Sequence, residues 1–200
     1  MSPWRSALRQ WVIRYHPRFN RFILVGCGIG CVVIATAGAC GVRKNVTDSA
    51  PLGYYLTTSD PRAPYVSFCL AGPLGRESYE RGYRERGVCP DGGVPLLKPV
   101  LGRPGDTVRT TPEGIYLNHV LIRNSAPHAK DRHGRPLPIY PFGTYRIGPE
   151  SVWTVSTYTD YSFDSRYFGP IPVEQIRHRL RPLWTWDDPR LASLRESGGS

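Results

Sequence analysis

The first residue whose setting favours chemistry is a serine in a turn that proline and glycine constrain. Ser49 lies in the segment NVTDSAPLGYY, two residues before Pro51 and four before Gly53. Proline fixes its own φ angle and glycine allows close approach of the backbone, so the Ser49 side chain can be held in one direction. Ser-Pro turns are also common where they have no function. The segment alone therefore makes Ser49 a candidate nucleophile, with an ordinary turn as the alternative.

A lysine in an apolar strand is the second candidate. Lys98 stands in LLKPVLGRPGD, where RPGD is the turn that ends the strand. A lysine in such a place either extends its ammonium group to solvent or is buried as the neutral amine. Burial would lower its pKa from about 10.4 toward roughly 7 or 8 and make the amine usable as a general base.

The element that precedes Ser49 is an apolar run of 21 residues, 22–42, without a charged side chain. As a helix it would span about 30 Å, the thickness of the hydrocarbon core of a bilayer. Five arginines precede the run, whereas only Arg43 and Lys44 follow closely. The positive-inside rule then predicts a cytoplasmic segment over 1–21, a transmembrane signal-anchor helix over 22–42 and a body outside the cytoplasm.

Three alternatives to a permanent anchor remain open. A buried core helix is disfavoured by the length of the run and its flanking arginines. A cleavable signal peptide is compatible with the small residues at 37–40, although the run exceeds the usual h-region. The same stretch faintly resembles a lipobox with Cys40 as the lipidated residue, but it has Ala37 where leucine is expected.

The elements that must position Ser49 and Lys98 are short strands. After Lys44 the chain alternates apolar runs with proline and glycine, which predicts a mostly β body over 43–186, followed by a flexible tail over 187–200. The predicted strands cover 53–58, 65–71, 96–101, 107–110, 114–117, 120–123, 143–147 and 151–157. Two excursions interrupt this pattern, a charged one over 73–93 and a basic, proline-rich one over 123–142.

The formal net charge of +10 is compatible with an anionic partner of several kinds. Five arginines lie beside the apolar run and the other basic residues are dispersed, so we expect no nucleic-acid partner. The apolar run makes the cytoplasmic membrane the predicted partner at this point.

Two of the five cysteines, Cys69 and Cys89, lie in the predicted outer body. An oxidising compartment would favour a disulfide between them, with two free thiols as the alternative. Their spacing is not that of a CxxC redox motif or a zinc site, and we expect neither a metal nor another cofactor.

Three ordered blocks resemble the signal peptidase I (S26) family, specifically its branch of TraF-type peptidases of conjugative plasmid transfer. The first block is N-x-T-x-S-x-P-x-G-x-Y over 45–55, the second K-P-V-x-G-x-P-G-D over 98–106, and the third S-x-D-S-R-x-x-G over 162–169. A shorter match, V-x-F-C-L, covers 66–70. The resemblance implies a signal-peptidase-like β body with one N-terminal transmembrane helix.

The resemblance also implies a role for each matching residue. Ser49 would attack the scissile carbonyl and neutral Lys98 would accept its proton, while the backbone N–H of Ser49 and the hydroxyl of Thr47 would hold the oxyanion. Ser162 would orient the lysine amine. Asp164 and Arg166 would form a structural ion pair beside the site.

Departures from the general family pattern favour the conjugative branch. Ala50 follows Ser49 where general signal peptidases carry methionine, and residues 156–160 read STYTD in place of a G-D-N beginning. The implied function is a serine endopeptidase of the bacterial inner membrane, with its catalytic domain in the periplasm, that matures the conjugative pilin precursor. Some members of this branch also join the ends of the pilin into a circle. The alternatives are a general signal peptidase and a catalytically silent assembly component of the transfer apparatus.

Overall fold

The computed structural model describes residues 22–25, 27 and 40–186. The chain divides into two units, Met1–Val42 and Arg43–Ser200. In the first unit, residues 22–25 and 27 are helical. Most of the predicted anchor at 22–42, the segment 1–21 and the tail 187–200 lie outside the described residues. Within the described part of the chain, no helix combines the length and apolarity needed to cross a membrane.

The second unit is mostly β, which confirms the predicted β body; the described residues do not show the transmembrane helix of the prediction. A seven-stranded sheet has the order β1-β2-β11-β3-β4-β9-β10 and a four-stranded sheet has the order β7-β6-β5-β8. The strands are β1 (Val42–Asn45), β2 (Leu52–Thr58), β3 (Tyr65–Phe68), β4 (Leu96–Gly102), β5 (Thr107–Thr111), β6 (Gly114–Leu117), β7 (Val120–Leu121), β8 (Gly143–Arg146), β9 (Ser151–Thr154), β10 (Ile171–Pro172) and β11 (Ile176–Trp186). Two α-helices accompany them, α1 (Gly72–Glu80) and α2 (Ser165–Phe168), together with a 3₁₀ turn over Val173–Gln175.

The eight strands predicted from alternation all occur, and all but 114–117 have shifted ends. The strand predicted over 65–71 ends at Phe68, since α1 begins at Gly72 with a proline in its first turn. Strand β11 was not predicted, although it lies inside the sheet between β2 and β3. Its register shifts between Pro182 and Trp184, where the proline offers no N–H to the ladder.

The charged excursion over 73–93 contains helix α1 and a loop that a disulfide closes. Cys69 and Cys89 are joined, with their Cα atoms 5.5 Å apart. A buried ion pair between Arg84 and Asp91 at 2.6 Å holds the loop from within. The disulfide and the ion pair therefore hold this excursion in a fixed position.

One of three buried apolar clusters lies directly beneath the serine turn. It contains Ala50, Tyr55, Tyr65 and Leu180, which are at most 8% exposed. The Tyr55 hydroxyl donates to the carbonyl of Pro51 at 2.7 Å. The turn that carries Ser49 is thus attached to the core through the two residues that follow the serine.

Gly53 is required where β2 meets β11. Its φ is +150°, and a Cβ placed there would lie 2.3 Å from the carbonyl oxygen of Trp184. Any side chain would separate the two strands, so this glycine allows the close backbone approach that the sequence suggested.

Candidate active site

The side chain of Asn45 organises the turn that carries Ser49. Its Nδ2 donates to the carbonyls of Thr47, Ala50 and Pro51 at 2.9, 3.0 and 3.1 Å. Its Oδ1 accepts from the backbone N–H of Thr47 at 3.1 Å and from the Thr47 hydroxyl at 2.9 Å. One amide, 3% exposed, therefore fixes the backbone on both sides of Ser49.

The hydroxyl of Ser49 lies 3.3 Å from the hydroxyl of Thr47. Thr47 has one hydroxyl proton, which it gives to Asn45, so Ser49 is the donor to Thr47. Among the described residues, Ser49 shares this bond with Thr47 and has none with Lys98.

Lys98 is buried because of its place on β4. Successive side chains alternate across a strand, so Lys98 points to the same face as Leu96, and both are buried. Lys98 is 4% exposed. Burial lowers its pKa from 10.5 to about 8, against a smaller opposing effect from the Asp164 carboxylate. At about this pH half of the amine is neutral and can accept a proton.

Ser162 holds the lysine amine. The Nζ of Lys98 donates to the Ser162 hydroxyl at 2.8 Å, and Ser162 is 3% exposed. The two residues are 64 positions apart in the chain. Ser162 lies in the loop between β9 and α2, so the position of the amine depends on that loop.

A buried ion pair fixes this loop. Arg166 Nε and Nη2 each donate to Asp164 at 2.9 Å, and both side chains are fully buried. Arg166 Nη2 also donates to the carbonyl of Ser162 at 3.1 Å, and Asp164 accepts from the N–H of Ser156 at 2.9 Å. Burial alone would lower the pKa of Arg166, but the Asp164 carboxylate outweighs it and the pKa is raised. The pair therefore acts on Lys98 through the loop that carries Ser162.

Ser49 and Lys98 line one groove with a volume of about 860 Å³. The serine turn, β4, β11, the Ser162 loop and both excursions form its walls. The excursions are joined to each other, since the Tyr83 hydroxyl donates to Asp131 at 2.6 Å and Arg81 donates to the carbonyl of Pro136 at 2.7 Å. The groove is thus closed on one side by two segments that are far apart in the sequence.

The structure brings together six predicted site residues, Thr47, Ser49, Lys98, Ser162, Asp164 and Arg166, in and directly behind the groove wall. The sequence did not single out Asn45 or Arg132 as site residues; Asn45 was visible only as the first letter of a matching block. Within residues 22–25, 27 and 40–186, no group of three or more His, Cys, Asp or Glu side chains could hold a metal ion.

The described site has a buried lysine and a serine in one groove of a mostly β body, and the chain matches a family of peptidases. The family described as signal peptidase, peptidase S26, matches residues 65–185. The chain belongs to this family. The match includes Lys98 and the Ser162 loop but begins after Ser49, so the position of Ser49 rests on the geometry above.

Relatives named as plasmid or conjugal transfer proteins match most of the chain. A plasmid transfer protein TraF of Escherichia coli is 39% identical over 168 residues, with 82% of this chain and 94% of that protein covered. A second TraF of Escherichia coli is 36% identical and covers 84% and 97%. A conjugal transfer protein TraF of Agrobacterium fabrum is 34% identical and covers 79% and 89%.

A solved signal peptidase I from Enterococcus faecalis is 16% identical, with 62% of this chain and 98% of that chain covered, at a TM-score of 0.34. Nothing about the site is inferred from this likeness.

Proposed function

We propose that this protein is a serine endopeptidase of conjugative transfer in which Ser49 is the nucleophile and Lys98 the general base. The observation that carries the proposal is the burial of Lys98, with a pKa lowered to about 8, in the groove that Ser49 lines. Membership of a peptidase family and similarity to TraF proteins support it.

Lys98 transfers two protons in the reaction, the first from Ser49 to the leaving amine and the second from water back to Ser49. Ser49 Oγ attacks the scissile carbonyl carbon while Lys98 Nζ accepts its proton, and the ammonium group then protonates the leaving amine as the C–N bond breaks. Lys98 next activates the water that hydrolyses the acyl-enzyme and restores the serine. If the amine of the same substrate chain replaces water, the product is a ring.

The oxyanion is held by the backbone N–H of Ser49 and by the Thr47 hydroxyl. At rest the Thr47 proton is directed to Asn45, so this hydroxyl rotates toward the substrate during catalysis. Loss of one such donor typically costs about 3 to 4 kcal/mol of transition-state stabilisation.

The substrate is the conjugative pilin precursor, and residues 22–42 anchor the enzyme in the bacterial inner membrane with its body in the periplasm. The TraF relatives support the role in conjugation. The Cys69–Cys89 disulfide supports an oxidising compartment.

The test is to incubate the full-length protein in detergent with a pilin precursor and to weigh the products by mass spectrometry. Wild type should cut the precursor at one bond, and a linear product will outweigh a ring by one water.

Ser49→Ala should leave the precursor intact. Ser59→Ala, which changes an exposed serine directly after β2, is the matched control and should process normally. Processing by Ser49→Ala at the wild-type rate would exclude the mechanism, and an inactive wild type would favour the silent assembly component. Cleavage of unrelated signal peptides at the same rate would instead favour a general signal peptidase.

A further inference from the structure

Arg132, in the basic excursion, lies across the mouth of the groove. Its guanidinium is 3.5 Å from the carboxylate of Asp48 and 5.1 Å from the ring centroid of Tyr161. Asp48 precedes Ser49 and Tyr161 precedes Ser162 in the chain. The exposed guanidinium of Arg132 therefore lies against the two residues that directly precede Ser49 and Ser162.

The turn that presents Arg132 is held firmly. Asp131 Oδ1 accepts from the N–H groups of His133 and Arg135, both at 2.9 Å. Asp131 Oδ2 is bonded to Tyr83 and Arg135 at 2.6 Å. The base of this turn is therefore fixed to the opposite excursion, and the long arginine side chain extends from a defined point.

The contact between Arg132 and Asp48 can be exchanged for another carboxylate. Their side chains are 61% and 60% exposed, so water and salt screen the pair. A substrate carboxylate that enters the groove can replace Asp48 at little cost.

The surrounding charge favours an acidic ligand. Six lysines and arginines line the groove, but Arg84 is paired with Asp91 and Lys98 is the neutral base of the proposed reaction, so four cations remain against three acidic residues, Asp48, Glu85 and Asp131. Asp131 is already bonded to Arg135. The pKa of His178, also in the groove wall, is lowered by burial and by the positive charges of Arg43 and Arg177. A positively charged ligand should therefore bind less well than an acidic one against this part of the groove wall.

We propose that Arg132 binds a substrate carboxylate close to the scissile bond, so that the enzyme prefers substrates with Asp or Glu there. The inference rests on the proposed peptidase function and adds a specificity-determining residue to it. Because Arg132 lies beside residues adjacent to Ser49 and Ser162, the acidic side chain falls within about two residues of the cleaved bond, or roughly 7 Å of extended chain.

The test measures binding separately from cleavage. Full-length Ser49→Ala protein in detergent is titrated into fluorescein-labelled, alanine-rich peptides that are identical except for one Glu, Gln or Lys two residues from the central bond, on either side. Fluorescence anisotropy gives each Kd. The same peptides are measured with Arg132→Gln and Arg132→Glu in the Ser49→Ala background. Arg146→Gln, which removes an exposed arginine from β8 outside the groove, is the matched control.

We expect the Glu peptide on one side of the bond to bind up to about fivefold more tightly than the Gln peptide at low salt. Arg132→Gln should abolish the difference, Arg132→Glu should transfer the preference to the Lys peptide, and Arg146→Gln should change neither. Equal binding of Glu and Gln peptides by the Arg132 protein, including equal failure to bind, would overturn the inference. So would a preference that Arg132→Gln retains.

Cleavage by the wild type distinguishes this inference from the proposed function. Pilin cleavage without a preference for the Glu peptide contradicts the role of Arg132 alone. A Glu preference in binding, in a protein that cleaves no substrate, contradicts the peptidase proposal alone.

Discussion

The two side chains proposed to react each have one neighbour that fixes their resting position. Ser49 donates to Thr47 and Lys98 donates to Ser162, so neither is directed at the other before substrate enters. The lysine amine keeps its place by a hydrogen bond that survives whether it is charged or neutral, since both forms carry N–H groups. In the proposed mechanism, substrate entry therefore has to redirect the hydroxyls of Ser49 and Thr47, and the base remains where it is.

Replacement of Asn45 should displace Ser49 without removing a side chain that takes part in the proposed reaction. Asn45→Ala leaves the buried carbonyl of Ala50 without this donor and removes the bonds to Thr47 and Pro51, at a cost of about 1 to 3 kcal/mol in the free energy of unfolding. Misplacement of the nucleophile should lower processing by on the order of 10- to 100-fold. Urea unfolding and product analysis measure the two effects.

Asn118→Ala is the control for this prediction, because Asn118 makes comparable bonds to Thr107 and Asp106 outside the groove. It should lose stability and keep its processing rate. If Asn45→Ala processes pilin at the wild-type rate, the turn does not depend on this amide.

The buried amine of Lys98 should cost the protein stability at neutral pH. Its pKa is about 8 in the folded protein and 10.5 as the ordinary value, so the folded protein disfavours the charged form by about 3 kcal/mol. This cost is fully present below pH 8 and disappears as the pH rises toward 10.5. Lys98→Met should therefore be inactive yet more stable than wild type by up to about 3 kcal/mol at pH 7, with the difference decreasing at alkaline pH.

Chemical unfolding of both proteins across this pH range gives the difference directly. If Lys98→Met is less stable than wild type at pH 7, burial of the charged Lys98 amine does not lower the free energy of unfolding.

At the scale of elements, the pair Asp164–Arg166 joins α2 to the loop that carries Ser162. Asp164→Ala leaves the guanidinium of Arg166 buried without its partner and should lower the free energy of unfolding by about 3 to 5 kcal/mol. The double variant Asp164→Ala/Arg166→Met removes that charge and should recover part of the loss. Thermal and urea unfolding compare them.

Glu77→Ala is the control, since it breaks the more exposed pair between Glu77 and Arg81 on α1 and should cost at most about 1 kcal/mol. Equal losses from Glu77→Ala and Asp164→Ala would show that the buried pair does not hold the loop.

Elements with local signals were the ones that the sequence predicted. The alternation of β5, β6 and β8 lies between clear turns, so it could be read without tertiary information. Strand β11 could not, because it contains Pro182 and several arginines and is stabilised by pairing with β2 and β3, which are distant in the chain. The residues Ser49 and Lys98 were visible from local setting, whereas the role of Asn45 depends on a folded turn.

At the scale of the whole molecule, the groove is made by segments spread from Arg43 to Leu180. The two excursions meet through Tyr83 and Asp131, which are 48 residues apart. Local sequence patterns do not indicate a contact between segments so far apart, so the groove wall that carries Arg132 could not be predicted from the sequence. In the proposed membrane topology, the compartment of this groove depends in turn on the orientation of the chain.

Orientation can be tested with reporter fusions. If residues 1–21 remain in the cytoplasm, alkaline phosphatase fused after Thr111 should be active, because that enzyme folds in the oxidising periplasm, and a cytoplasmic reporter at the same position should be inactive. The opposite pattern would place the body in the cytoplasm and would conflict with the disulfide between Cys69 and Cys89.

The most direct test of the central claim is the pH dependence of kcat/KM for pilin processing by the full-length enzyme. Protonated Lys98 cannot act as a base, so activity should be low at pH 6 and rise along one limb with a midpoint near the pKa of about 8. Lys98→Arg should be inactive throughout, since its guanidinium stays protonated. A profile already at its plateau at pH 6, or an active Lys98→Arg enzyme, would contradict the assignment of Lys98 as the base.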